Sequence, residues 1–353
     1  MQEILKNFKL NGNVTECSPY GCGHINRTYL VVTDSGKRYI LQSINTVAFK
    51  DVPGLMENIG AVTRHLQKKV KNERECLHLV PTLDGADYWH DGGNGYWRVY
   101  DFVEGSICLQ TPETPDDFYQ SAVAFGTFQR QLEDFPAETL HETIVNFHNT
   151  PDRYEKFKAV LAQDKLGRAR EAAYEIEEFL KREQDGATLI NMLREGKLPL
   201  RVTHNDTKLN NVMLDAETRK ALCVIDLDTV MPGLMAYDFG DSIRFGAATA
   251  AEDETELSKV SMSLELFETY ARGFISSCPK LTEQEYLSLA WGARTMTLEC
   301  GVRFLTDYLD GDNYFAIHRP SHNLDRCRTQ LRMVQDMEKK WQQMVNIIRA
   351  LHP

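Results

Sequence analysis

"VTHNDTKLNNVMLD", Val202 to Asp215, sets a histidine, a bare carboxylate, a lysine and two further asparagines between apolar residues. Asn and Asp are common in loops because both tolerate turns, so the stretch on its own reads as a surface loop. Its spacing offers a second reading. Asp206 precedes Asn211 by five positions, in the order H-x-D-x-x-x-x-N, and the flanking runs have β character. A loop so enclosed carries the groups needed to hold a metal-bound phosphate.

Three more pieces support that reading. "VIDLD" ends an apolar run on Asp226 and Asp228; if the strand persists, both carboxylates point to one side. "PYGCGHINR" places Gly21 and Gly23 in a turn between two early strands, with Asn26 where a third glycine would fall. "YDFVEG", Tyr100 to Gly105, joins a β-rich first part to a helical second part. Phosphoryl transfer needs these types together. Its transition state spreads charge over phosphate oxygens, so the protein must position an acceptor hydroxyl and neutralise charge through magnesium. Carboxylate and amide oxygens suit that ion, and Asn211 with Asp226 supply them. Asp206 then stands free to orient the hydroxyl and take its proton, as in the catalytic loop of protein kinases, which has this residue order. No G-x-x-x-x-G-K-[ST] stretch is present, which excludes a P-loop.

Plainer roles compete for several of these residues. His204 is expected to pack and to bond the loop backbone. Asp228 suits either a metal or nearby backbone. Asp238, in "YDFGDSIRFG", reads as a helix N-cap, with Asp241 bracing the catalytic loop. Lys208, two residues from Asp206, is read as a contact to the transferred phosphate over a solvated loop lysine.

At 353 residues the chain exceeds one ordinary core, which predicts two lobes. Residues 13 to 105 give strand, strand, strand, helix, strand, strand: "VTECS", "TYLVVT", "KRYILQSI", a helix with Leu55, Ile59, Val62 and Leu66 on one face, then "LVPTLDG" and "GYWRVYDFVEG". That order predicts a small antiparallel sheet with one helix, an α+β lobe over residues 1–104. Residues 105–353 read as mainly helical, with helix starts at Thr114-Pro115 and Thr150-Pro151 and short hairpins over 200–228. A net charge of −11 opposes nucleic-acid and acidic-membrane partners. No apolar run reaches the ~18 residues of a membrane span. With no C-x-x-C pair and no leader-like apolar core in "MQEILKNFKLNGNV", a reduced cytoplasmic setting is expected.

These stretches, with "RYILQSIN", "DLDTVMPG", "DFGDSIRFGA", "LECGVRFLTDYLDGDNYF" and "HNLDRCRTQ", resemble the phosphotransferase enzyme family of aminoglycoside and choline kinases. Within it they are most similar to the bacterial N-acetylhexosamine 1-kinases. The resemblance implies a bilobal fold like that of protein kinases, ATP and Mg2+ as cofactors, and a small sugar as acceptor. By position it makes Asp206 the base and Asn211 and Asp226 the magnesium ligands. It places adenine against the hinge of Tyr100, Asp101 and Val103, phosphate near Gly21, Gly23, Gln42 and Lys208, and the sugar near His24, Arg303 and Tyr314. Without the resemblance, Arg303 reads as a helix arginine salt-bridged to Glu299 and Asp307. Gln42 is a departure, because it stands where a strand lysine would bind phosphate; Lys208 or Arg38 is expected to compensate. The rival readings are a kinase of amino alcohols or aminoglycosides, a "DLD" glycosyltransferase, and a pseudokinase that only binds nucleotide. Sugar preference and oligomeric state are left open.

Overall fold

The computed structural model describes every residue except 22–24, 94 and 353. Five antiparallel strands open the chain: β1 (Val14–Pro19), β2 (Arg27–Thr33), β3 (Arg38–Ser43), β4 (Trp89–His90) and β5 (Tyr96–Asp101), in the spatial order β1-β2-β3-β5-β4. Alternation along the strands separates two faces. Val31, Tyr39, Leu41 and Val99 pack on one face with Leu5, Phe8 and Val80. Ile40 and Tyr100 face the other way, toward the helix Val52–Gln67, which buries Leu55, Ile59, Val62 and Leu66 as their spacing predicts. Asp51 caps that helix, its carboxylate accepting from the Gly54 N–H at 3.0 Å.

"LVPTLDG" is not a strand. It makes only isolated bridges, Leu79 with Tyr100 and Thr82 with Phe8, because Pro81 has no N–H to give a ladder. The two-residue β4 takes the sheet edge instead.

Helices dominate the remainder. Pro115–Gln131 opens on the expected Thr114 cap, a capping box closed by Asp117. The second expected cap shifts by one residue: Asn149 accepts from Asp152, and Thr150 lies inside the helix with its hydroxyl donated to Glu299. The 28-residue helix Glu283–Asp310 forms the spine and ends at Gly311, whose φ of +107° favours glycine. It meets the helix Met235–Gly246 backbone to backbone. A Cβ on Gly240 would lie 2.2 Å from the Gly292 carbonyl oxygen, and one on Gly292 2.1 Å from that of Ala236. Two small sheets sit between the sheet lobe and the helices: β6 (Ser106–Cys108), β8 (Val212–Asp215) and β9 (Ala221–Val224) in the order β6-β8-β9, and β7 (Arg201–Thr203) paired with β10 (Met231–Gly233). The small antiparallel sheet with one long helix and the larger helical part are those expected. Among the described residues no helix is long and apolar enough to cross a membrane.

Candidate active site

β7 delivers the loop that starts at His204, and Met231 of β10 pairs with Thr203 at its root. His204 is fully buried; its Nε2 faces the Ile225 carbonyl at 2.8 Å and its Nδ1 accepts from the Asp206 N–H at 3.3 Å. It holds backbone, as expected. The loop-bracing role read for Asp241 falls to Asp238, and neither residue is the helix cap. Asp238 caps no helix: its buried carboxylate accepts from the His204 and Asn205 N–H groups at 2.9 and 2.8 Å and from the Gln129 amide at 2.5 Å. Burial raises its pKa, and these donors oppose the rise. Asp241 instead pairs with Arg244 at 3.0 Å. Both carboxylates lie on Met235–Gly246, three residues apart, and sequence alone does not say which one the loop meets. Asp238→Ala strands two buried N–H groups, at about 1–3 kcal/mol each. A lowered melting temperature together with lost turnover is the expected result; wild-type stability would show that the loop has other support.

Asp206 sits at the open end of this loop. Asn211 donates its amide to the Asp206 carbonyl at 2.7 Å and to its Oδ2 at 3.0 Å, and Lys208 Nζ lies 2.8 Å from Oδ1. Burial works against the charge of Lys208, and the Asp206 carboxylate more than offsets it, so the lysine pKa is raised. β9 stops at Val224, and the Ile225 N–H donates to the Asn211 carbonyl at 2.9 Å. The chain then turns left-handed at Asp226, φ +58°. The strand therefore does not persist through "VIDLD", and the two carboxylates separate. Asp228 goes inward, 3% exposed, and Asp226 is exposed. Although its side chain reaches solvent, the protein packed around it, then the charges of Asp228 and Asp206, push Asp226 up to about 6.

This donor set fits a divalent cation. The Asp226 carboxylate and the Asn211 amide oxygen take no hydrogen bond among the described residues, and a cation would relieve the repulsion among three carboxylates. No three His, Cys, Asp or Glu side chains among the described residues form a metal cage. Magnesium needs none, since it takes one or two protein ligands and fills its shell with water and phosphate.

On the sheet side, Gly21 has φ +77°, which favours glycine; Gly23 and His24 lie outside the described residues. Gln42 meets a residue the sequence reading missed. Arg98, opposite it on β5, donates Nε to the Gln42 amide oxygen at 2.9 Å and Nη1 to Asp228 at 2.5 Å. The two expected compensating cations are engaged elsewhere, Arg38 with Glu104 and Lys208 with Asp206. The absent lysine was the available signal that a cation must come from another element, while the strand register that supplies it is invisible in sequence. At the hinge, Tyr100 and Val103 are buried and Asp101 pairs with Lys37. The Tyr100 ring lies in the core and cannot stack on a base, whereas the Val103 N–H makes no hydrogen bond among the described residues.

Arg303 forms no salt bridge among the described residues. Glu299 is occupied by His148 at 3.0 Å and Thr150 at 2.7 Å. Asp307 accepts from the N–H groups of Asn313, Tyr314 and Phe315 and from Asn323. The guanidinium lies over Tyr314 and Phe315 instead, 5.7 and 5.3 Å from their ring centres, and Tyr314 is 72% exposed. His148 bonds the Asn205 carbonyl at 3.1 Å and so ties this wall to the catalytic loop. Arg153 shares the wall: its Nε is buried without a partner among the described residues, and burial and the nearby Arg303 lower its pKa.

The model of the phosphotransferase enzyme family matches residues 16–262. The chain belongs to that family. Solved structures share its fold over nearly their whole length. A microcompartment-associated aminopropanol kinase is 16% identical, with 97% of each chain covered and a TM-score of 0.62. An amicoumacin kinase in complex with AMP-PNP, Ca2+ and Ami is 14% identical, with 94% of this chain and 91% of that one covered and a TM-score of 0.60. A choline kinase from Cryptosporidium parvum Iowa II is 12% identical, with 99% and 97% covered and a TM-score of 0.59. Family membership agrees with the phosphotransferase reading of the H-x-D-x-x-x-x-N loop and goes against a "DLD" glycosyltransferase.

Proposed function

We propose that this member of the family transfers the γ-phosphoryl group of ATP to the anomeric hydroxyl of an N-acetylhexosamine, giving the sugar 1-phosphate and ADP. The observation that carries the proposal is the convergence of Asp206, Asn211 and Asp226 at one opening, with Asp206 held by Lys208 and Asn211, and Asp226 left unpartnered among the described residues. In this reading residues 1–104 hold the nucleotide, with adenine against the Val103 N–H and phosphate near Gly21, Gly23 and Lys208. Asn211 and Asp226 would hold magnesium, which supplies charge neutralisation at the phosphates. Asp206 aligns the acceptor hydroxyl and accepts its proton as the new O–P bond forms and the bond to ADP breaks. The amicoumacin kinase structure, a complex with AMP-PNP and Ca2+, agrees with use of nucleotide and a divalent cation.

Two features favour a sugar over the amines in the names of the aminopropanol and choline kinases: the motif resemblance to hexosamine kinases, and the charge of the acceptor wall. Cationic acceptors call for acids or an aromatic cage free of competing cations. Here Arg303 already occupies the aromatic face, with Arg153 beside it. An acetamido carbonyl would accept from such a group. Removing one charged hydrogen bond costs about 1.5–3 kcal/mol, so Arg303→Leu should raise the KM for the sugar roughly ten- to a hundredfold and leave that for ATP unchanged. An unaltered sugar KM would remove Arg303 from the acceptor site. The deciding experiment follows ADP release across N-acetylhexosamines, aminopropanol, choline and aminoglycosides, with NMR to place the phosphate. Transfer to the amines alone would overturn the proposal.

A further inference from the structure

We infer that Asp228, clamped between Arg98 and Asn26, is a positioning residue that holds Asp226 in its metal-facing place on a sheet without the strand lysine. The inference rests on the nucleotide-binding reading above. Thr28, Gln42 and Arg98 stand side by side across β2, β3 and β5 on the face turned toward the helix Val52–Gln67. The Gln42 amide donates to Thr28 at 3.1 Å and accepts from Arg98 at 2.9 Å. Arg98 Nη1 donates to Asp228 Oδ1 at 2.5 Å, and the Asn26 amide donates to Asp228 Oδ2 at 2.5 Å. Asn26 is itself fixed, accepting from the Asn45 N–H at 3.0 Å. The helix offers Arg98 no acid: Met56 Sδ lies 3.9 Å from its Nη1, and Glu57 is spent on His141 at 2.7 Å.

Arg98 and Asp228 are 1% and 3% exposed. An ion pair so buried loses much of its attraction to desolvation, and apolar residues of equal volume often stabilise a fold as well or better. What the pair supplies here is therefore geometry rather than stability. Asp228 lies one 3-10 turn beyond Asp226, so fixing Asp228 fixes the direction in which Asp226 points. Asn26 precedes β2 by one residue, so the same carboxylate also ties the start of that strand to the metal-facing segment. One side chain thereby registers the start of β2, the centre of the sheet and the metal-facing carboxylate against one another.

The test uses full-length protein and calorimetric titration with MgADP and with metal-free ADP, alongside KM values for ATP and acceptor. Asn26→Ala, at a half-buried position, should weaken MgADP roughly tenfold while the acceptor KM and metal-free ADP binding stay as in wild type. Arg98→Met should do at least as much, and adding Gln42→Lys in that background should recover part of the loss. Unchanged MgADP affinity in Asn26→Ala overturns the inference. So does an equal weakening of metal-free ADP and acceptor, which would mark a merely structural role. If wild type binds MgADP but phosphorylates no sugar, the acceptor reading fails and the clamp stands; if wild type binds no MgADP, both fail.

Discussion

Asp206→Asn is expected to lower turnover by roughly 10²- to 10⁴-fold, the usual contribution of a positioned acid–base group, while nucleotide still binds. Asn has nearly the same shape, and its amide oxygen can accept from Lys208 Nζ in place of Oδ1. It cannot take up a proton at neutral pH. The second contact reverses sense, because the new side-chain amide facing the Asn211 Nδ2 would set donor against donor across the present 3.0 Å. Asn211 keeps its other bond, to the residue 206 carbonyl at 2.7 Å, so the loop has reason to stay in place. MgADP titration should therefore give a dissociation constant within severalfold of wild type. Turnover above a tenth of wild type would remove Asp206 from the chemistry.

Asp226→Ala should fail differently. The carboxylate has no hydrogen-bond partner to lose among the described residues, and it is repelled by Asp228 and Asp206. Deleting it relieves that repulsion but places alanine at φ +58°, so the melting temperature should stay close to that of wild type. The loss belongs to the cation. With Asn211 as the remaining protein ligand, the magnesium concentration for half-maximal rate should rise steeply, and the rate at saturating ATP should fall by roughly a thousandfold, since charge neutralisation at phosphate is worth several kcal/mol. A stable variant with unaltered magnesium dependence would exclude Asp226 as a ligand. A strongly destabilised one would make it a structural residue.

The local order of residues carried a good part of this. Strand alternation, the Val52–Gln67 stripe and the Thr114-Pro115 start are short-range patterns, and each formed as read. Asp206, Asn211 and Asp226 also lie near one another, although they were read as coming from separate hairpins and one hairpin, β8–β9 with its flanks, carries all three. What depended on register or on packing at long range was not legible. Arg98 meets Gln42 only because β5 lies beside β3, 56 residues later in the chain. That Asp238 rather than Asp241 meets the loop is decided by where Met235–Gly246 docks, and that docking is set by one glycine on each helix, Gly240 and Gly292 of the spine. Arg303 looked salt-bridged because helical spacing puts Glu299 and Asp307 in reach, and it is not, because both acids found partners elsewhere.

Asp307 has a consequence for how an acceptor is met. Its carboxylate gathers three successive backbone N–H groups, those of Asn313, Tyr314 and Phe315, and is itself steadied by Asn323. The segment bearing Tyr314 is thus shaped before any acceptor arrives, and little ordering entropy remains to be lost on encounter. On the proposed sugar reading, a stiff wall of this kind would discriminate by fit, so sugars differing at a single carbon centre should separate in their dissociation rates more than in their association rates.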